Sequence, residues 1–162
     1  MLPEVEEVGG PAADPHAAVL DNAGRKAAAA LEAGALVIGC DTDVVLDGVL
    51  LGKPADEAQA REFLDRLSGR SHEVCSGLSI LGPEPERRRE GVAASTVHFR
   101  ELSGEEVDCY LASGEWRERA GAYAIQGLGS TLVEAVEGDV TNVIGLPLAL
   151  LLELAPELGP SV

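Results

Sequence analysis

In VIGCDTDVVLDGVLLGKP, residues 37–54, an apolar run ends in two acids, Asp41 and Asp43, and Lys53 returns a dozen residues later. The end of a buried strand is where open α/β sheets place ligand groups. A carboxylate there can hold a divalent metal or take a proton from water. Asp-Thr-Asp equally suits an ordinary turn, because its side chains hydrogen-bond neighbouring backbone, so these residues alone leave both readings open. Lys26 and Lys53 are the two lysines of a chain with ten arginines. A lysine is a compact point charge suited to phosphate oxygens, or simply a solvated side chain. In GAYAIQGLGS, residues 121–130, glycines would let the backbone approach a ligand, and Gln126 offers both a donor and an acceptor to a base edge. No Gly-Lys-Ser/Thr follows, so this is not a P-loop, and a plain turn-rich connection is the other reading. His72 and His98 lie in strand-like segments without a Ser or Cys partner at a telling spacing and are read as structural. PERRRE at 85–90 reads as a solvated hairpin tip, and Trp116 as the anchor of a loop on the core.

The elements that must position these residues alternate along the chain. An irregular acidic lead-in over 1–15 precedes an Ala-rich helix over 16–33, ended by Gly34. ALVIG reads as a short buried strand with Asp41 and Asp43 at its tip, and Asp47-Gly48 between apolar runs as a hairpin turn. ADEAQAREFLDRLSG carries Ala60, Phe63, Leu64 and Leu67 at helical spacing. Strands HEVCSGLSIL and AASTVHFREL flank a polar turn at 82–91. Ser103 and Glu106 form a capping box opening a helix through Ala112. TLVEAVEG is a strand, and Pro147 falls in the first turn of a last helix, LALLLELA. Strands and helices interleave without a strict βαβ repeat, which predicts an α/β fold with a mixed twisted sheet flanked by helices.

Composition limits the function. A net charge of −16 opposes binding to a phosphate backbone, so nucleic acid is excluded as a partner. A small anionic substrate would need local lysines or a divalent cation. With aromatics at 3%, the core must be aliphatic and base-stacking surfaces are scarce. Cys40, Cys75 and Cys109 are odd in number and form no CxxC pair, which fits free, buried thiols in a reducing cytoplasm and gives no zinc signature. No signal peptide is expected of the acidic, turn-rich start MLPEVEEVGGP, and the apolar stretch near VIGLPLALLLELAP is too short to span a bilayer, so no membrane association is expected.

Taken in order, GCDTDVVLDGVLLGKP, AREFLDRLSGRSHEV, TVHFRELSGEEVDCYLASGE and RAGAYAIQGLGSTLVEAVEGDVTNVIGLPL resemble the Maf (septum-formation-inhibitor-like) family of nucleoside triphosphate pyrophosphatases over about residues 3–158. The resemblance implies a two-lobed α/β fold with a central cleft, similar to the inosine triphosphate pyrophosphatases. It implies hydrolysis of a nucleoside triphosphate to the monophosphate and pyrophosphate, with Mg²⁺ or Mn²⁺. G-C-D-T resembles the family's G-A-D-T/S motif, which implies that Asp41 is the general base and a metal ligand, with Thr42 at a position linked to substrate choice. Lys53 in GKP matches the family's phosphate-binding lysine, Lys26 in GRKAAA matches the lysine of its EKA helix, and VEE at 5–7 resembles its acidic pair, which implies that Glu7 is a metal or water ligand. AGAYAIQG resembles the AGAYGIQG of the branch that prefers dTTP and UTP, with Gln126 selecting the base.

The family's Ser-x-Ser-x-Arg-Arg segment, which binds phosphate, has no counterpart here. The expectation is a single Maf-like domain over 1–162, N-terminally truncated relative to the family. A non-catalytic homologue that binds nucleotide or a protein partner is the alternative. Asp43 stands where the family is usually apolar. A cytoplasmic chain is expected, with a homodimer among its oligomeric options.

Overall fold

The longest apolar run of the N-terminal third becomes β1 (Val37–Leu46), and its register with β3 (Ser71–Leu81) continues unbroken from Val37↔Leu81 to Val45↔Glu73. The computed structural model describes residues 14–32, 34–82 and 87–160; Glu7 and most of the acidic lead-in lie outside them. The chain is α/β, with one five-stranded sheet in the order β2-β1-β3-β4-β5, where β2 is Val49–Leu50, β4 Arg89–Phe99 and β5 Val133–Glu137. Every pairing among the described residues is antiparallel.

Helices cover both faces. α1 (Pro15–Ala29) packs on β1 and β3 from one side. Opposite it lie α2 (Glu57–Leu67), α3 (Gly104–Ser113), α4 (Val140–Ile144) and α5 (Leu148–Leu154). The main core joins Val44, Leu46, Val74, Val97 and Phe99 of the sheet to Phe63, Leu64 and Leu67 of α2 and Val107, Tyr110 and Leu111 of α3. A smaller cluster sets Leu78 and Ile80 against Leu151 and Ala155.

Three local signals are realised as expected. Asp47 and Gly48 take φ 54° and 77° between Leu46↔Val49, the conformation that a two-residue hairpin loop requires. The apolar stripe of α2 is buried, and Asp56 caps it by accepting from Gln59 N at 2.9 Å. Ser103 Oγ accepts from Glu106 N while Glu106 accepts from Ser103 N, closing the capping box of α3. Ser103→Ala should lower the unfolding free energy by about 1 kcal/mol, read from denaturant melts at constant slope.

Three expectations are corrected. Asp41 and Asp43 lie inside β1, not at its tip, and it is the C-terminal half, Val44–Leu46, that is buried, while Ile38 is exposed. Backbone pairing with β3 carries the strand through the acids, whose side chains alternate to the face held by α1. α1 ends at Ala29; beyond Ala27 its residues bury little, so continuing the helix would gain no core contact, and Gly34 at φ 80° turns the chain towards β1. Of the three cysteines, all free, Cys75 is buried, Cys40 is half-buried and Cys109 is exposed.

His72 is structural, as read. Its Nε2 lies 2.7 Å from the Tyr123 hydroxyl, and its ring meets Phe99 and Tyr123 edge-on in the main core. Burial, helped by the charge of His98, holds its pKa down to about 4 from 6.5. The folded chain therefore resists a proton that the unfolded chain accepts. Stability from this site is complete above pH 6.5 and falls as the pH drops towards 4. Thermal melts between pH 7 and 5 should lose about 1.4 kcal/mol per pH unit below the upper limit. His72→Phe should remove that component of the slope.

Candidate active site

A cleft of about 250 Å³ opens where β1 runs beyond the short reach of β2. Its walls come from six segments: Lys26 of α1, Cys40–Val44 of β1, Gly52-Lys53 after β2, Val74 of β3, the loop from Glu118 to Gln126, and Val143–Gly145 at the end of α4. The structure thus brings Lys26, Asp41, Thr42, Lys53 and Gln126 to one cleft; Glu7 lies outside the described residues.

Asp41 is the buried centre of this arrangement. Its Oδ1 accepts from Lys26 Nζ at 2.5 Å and its Oδ2 from Asn22 Nδ2 at 2.9 Å. Both donors sit one turn apart on α1, so a single helix face fixes the carboxylate. A carboxylate offers about four lone-pair directions. Two are used by these contacts, which leaves capacity for a water or a cation. Thr42 points to the other face of β1, where its Oγ1 lies 2.7 Å from Ser76 Oγ and donates to Gly145 O.

Asp43 has a role that its sequence position did not reveal. Its Oδ1 accepts from Val44 N at 2.7 Å and from Gly52 N at 3.0 Å. Gly52 O in turn accepts from Gly121 N at 2.8 Å. These bonds fix the residue preceding Lys53 against both β1 and the Gly121 turn, so Asp43 positions the lysine.

Glu118 and Arg119 also line the cleft and were not singled out from sequence. They are set by Trp116, which is buried in the main core and donates Nε1–H to Leu111 O at 3.1 Å. Only the Trp116 anchor gave a hint of them. The glycines of the 121–130 segment serve internal packing instead of a ligand. A Cβ at Gly121 would meet Val44, and one at Gly129 would meet Ala124 O. α4, too short to stand out in sequence, is pinned by buried Asn142, whose Nδ2 donates to Val74 O and Ser95 Oγ.

The cleft combines three cationic side chains with carboxylate oxygens. Mg²⁺ and Mn²⁺ are hard cations, usually held by one or two carboxylates together with waters and substrate phosphates. Asp41 fits that need. Each Asp41 oxygen accepts one side-chain bond and keeps a lone-pair direction, whereas Asp43 Oδ1 already accepts two backbone N–H groups, so Asp43 fits it less.

A flanked antiparallel sheet, with a cleft lined by both lysines and a fixed carboxylate, defines the chain as an α/β protein. The chain belongs to the Maf family: the sequence model described as Maf-like protein matches residues 1–158. It is 43% identical over 165 aligned residues to the dTTP/UTP pyrophosphatase of Dictyoglomus thermophilum, covering 100% of this chain and 86% of that protein. It is 46% identical over 136 residues to the dTTP/UTP pyrophosphatase of Deinococcus radiodurans, covering 84% of this chain and 69% of the relative. For the dTTP/UTP pyrophosphatase of Pyrococcus furiosus the identity is 46% over 123 residues, 76% of this chain and 63% of the relative. The chain thus spans less than two thirds of the Pyrococcus protein's length. No helix among the described residues is long and apolar enough to cross a membrane.

Proposed function

We propose that the chain is a nucleoside triphosphate pyrophosphatase that converts dTTP and UTP, or modified pyrimidine nucleotides, to the monophosphate and pyrophosphate. The observation that carries this reading is the convergence of both lysines of the sequence on the cleft that holds Asp41. In a chain of net charge −16, that is where a polyphosphate would find attraction. The names of the relatives at 43–46% identity support the substrate class.

In this mechanism Asp41 accepts a proton from a water that attacks the α-phosphorus. The bond from that phosphorus to the bridging oxygen breaks, and pyrophosphate leaves with the bond electrons. Lys26 and Lys53 stabilise the charge that gathers on the leaving group. Binding of the phosphates would draw Lys26 Nζ from Asp41 Oδ1 towards the substrate, which frees that oxygen to face the attacking water. Asp41 would hold Mg²⁺ or Mn²⁺ arriving with the nucleotide, and the ion supplies charge neutralisation along the polyphosphate. Gln126, at the far wall, presents its amide to the pyrimidine edge, and Thr42 lies near enough to bear on substrate choice. A nucleotide substrate of this kind supports a cytoplasmic location for the chain. A homodimer would have the exposed Ile144, Leu146, Leu148 and Leu152 available for its interface.

The test is pyrophosphate release from dTTP, UTP, CTP, GTP and 7-methyl-GTP with Mg²⁺ or Mn²⁺. Release from dTTP and UTP should exceed that from the purines, and Gln126→Ala should narrow the difference by about 10-fold or more, the scale of one lost polar base contact. Nucleotide binding without release would instead identify a non-catalytic homologue.

A further inference from the structure

On the face of the sheet held by α1, away from the nucleotide cleft, His16, Glu73 and Cys75 converge. His16 opens α1, and Glu73 and Cys75 stand two apart on β3, so all three project to the same side. His16 Nε2 is 2.7 Å from Glu73 Oε1. One ligating atom from each of the three residues lies within 4.8 Å of the others. They offer one imidazole nitrogen, one carboxylate oxygen and one thiol sulfur. We propose that these three residues form a binding site for a borderline-soft divalent cation of the Zn²⁺ class, distinct from the hard-cation function of Asp41.

The donor set selects the ion. Zn²⁺ takes N, O and S ligands at bonds of about 2.0–2.3 Å, which sets tetrahedral ligand atoms about 3.3–3.8 Å apart. From the widest separation this is a contraction of about 1–1.5 Å, while the 2.7 Å His16–Glu73 pair opens by about 0.6 Å or more to admit the ion. Mg²⁺ has little affinity for a thiol or an imidazole. Three protein ligands leave a fourth position open, and an open depression of about 440 Å³ lined by Asp14, His16, Asp47 and Glu73 gives that position a path to solvent. His16 and Glu73 are partly exposed and form the mouth, while Cys75 lies buried beneath them. The surroundings favour a cation: Glu73, Asp43 and Asp41 all act on the Cys75 sulfur as negative charges. Without an ion, burial and these charges keep the thiol protonated, with a pKa near 12; a coordinated ion would displace that proton. The ion would clamp the first turn of α1 to β3, and α1 is the helix that carries Asn22 and Lys26 to Asp41.

The proposal is tested by titrating the chelator-treated full chain with Co²⁺, in place of Zn²⁺, and following thiolate-to-metal charge transfer in the near ultraviolet. One equivalent should produce the band, and Zn²⁺ should abolish it by competition and raise the melting temperature. Ions held by Asp41 alone give no such band, so failure of this site is distinguishable from failure of the nucleotide reading. His16→Ala, at an exposed position that the fold tolerates, should weaken Co²⁺ binding by about 100-fold or more. Cys75→Val, which keeps the buried volume, should remove the band, while Cys109→Ser should retain it. A wild-type chain without the band, or a band unchanged in His16→Ala, would overturn the site.

Discussion

Replacing Asp41 with asparagine is expected to lower pyrophosphate release from dTTP and UTP by about 10²–10⁴-fold, the contribution typical of a positioned general base. The fold should be retained. Asparagine has the same shape, its carbonyl oxygen still accepts from Lys26, and Asn22 can turn its amide to face the new side-chain nitrogen. Thermal melting therefore stays near that of the parent chain while turnover collapses. Lys26→Met is the complementary case. It removes the ammonium 2.5 Å from a buried carboxylate, so both turnover and stability decline. Equal turnover in Asp41→Asn and the parent chain would remove Asp41 from the chemistry, whatever its structural role.

The second large effect concerns glycines that let α1 lie directly on the sheet. A Cβ added at Gly39 would stand 2.1 Å from Ala23 O and 2.7 Å from Ala27 N. One at Gly77 would stand 2.4 Å from Val19 O. The obstructing atoms are helix backbone, so no rotamer change relieves them. The helix must withdraw by about 1–1.5 Å or more to reach ordinary contact distance. Gly39→Ala and Gly77→Ala should each cost about 3 kcal/mol, the upper end of overpacking effects, and lower the melting temperature by roughly 6–12 °C. Turnover should fall further than the loss of folded protein explains, because the same withdrawal separates Lys26 and Asn22 from Asp41. A variant that melts with the parent chain would contradict this account of how the helix is seated.

The sequence disclosed what short-range physics controls. The Asp47-Gly48 turn, the stripe of α2 and the Ser103–Glu106 box each need only neighbouring residues, and each is present. β1 is harder, because its acids break the hydrophobic pattern while its long pairing partner, β3, lies on the far side of β2 and α2 in the chain. The role of Asp43 depends on Gly52 and Gly121 meeting in space, a contact no local pattern encodes. Glu118 and Arg119 enter the cleft only through the anchoring of Trp116, and His16 meets Cys75 only because α1 crosses β3. The cleft itself was legible as a set of motifs, since Asp41, Lys53, Lys26 and Gln126 stand in recognisable local strings; their mutual placement required the fold.

The central claim, attack by water on the α-phosphorus in the cleft around Asp41, is tested most directly by one turnover experiment. dTTP is incubated with the chain in isotopically labelled water, and both products are weighed by mass spectrometry. The expected products are dTMP and pyrophosphate in equal amounts, with the heavy oxygen in dTMP and none in pyrophosphate. Heavy oxygen in pyrophosphate, or orthophosphate released with dTDP, would contradict it.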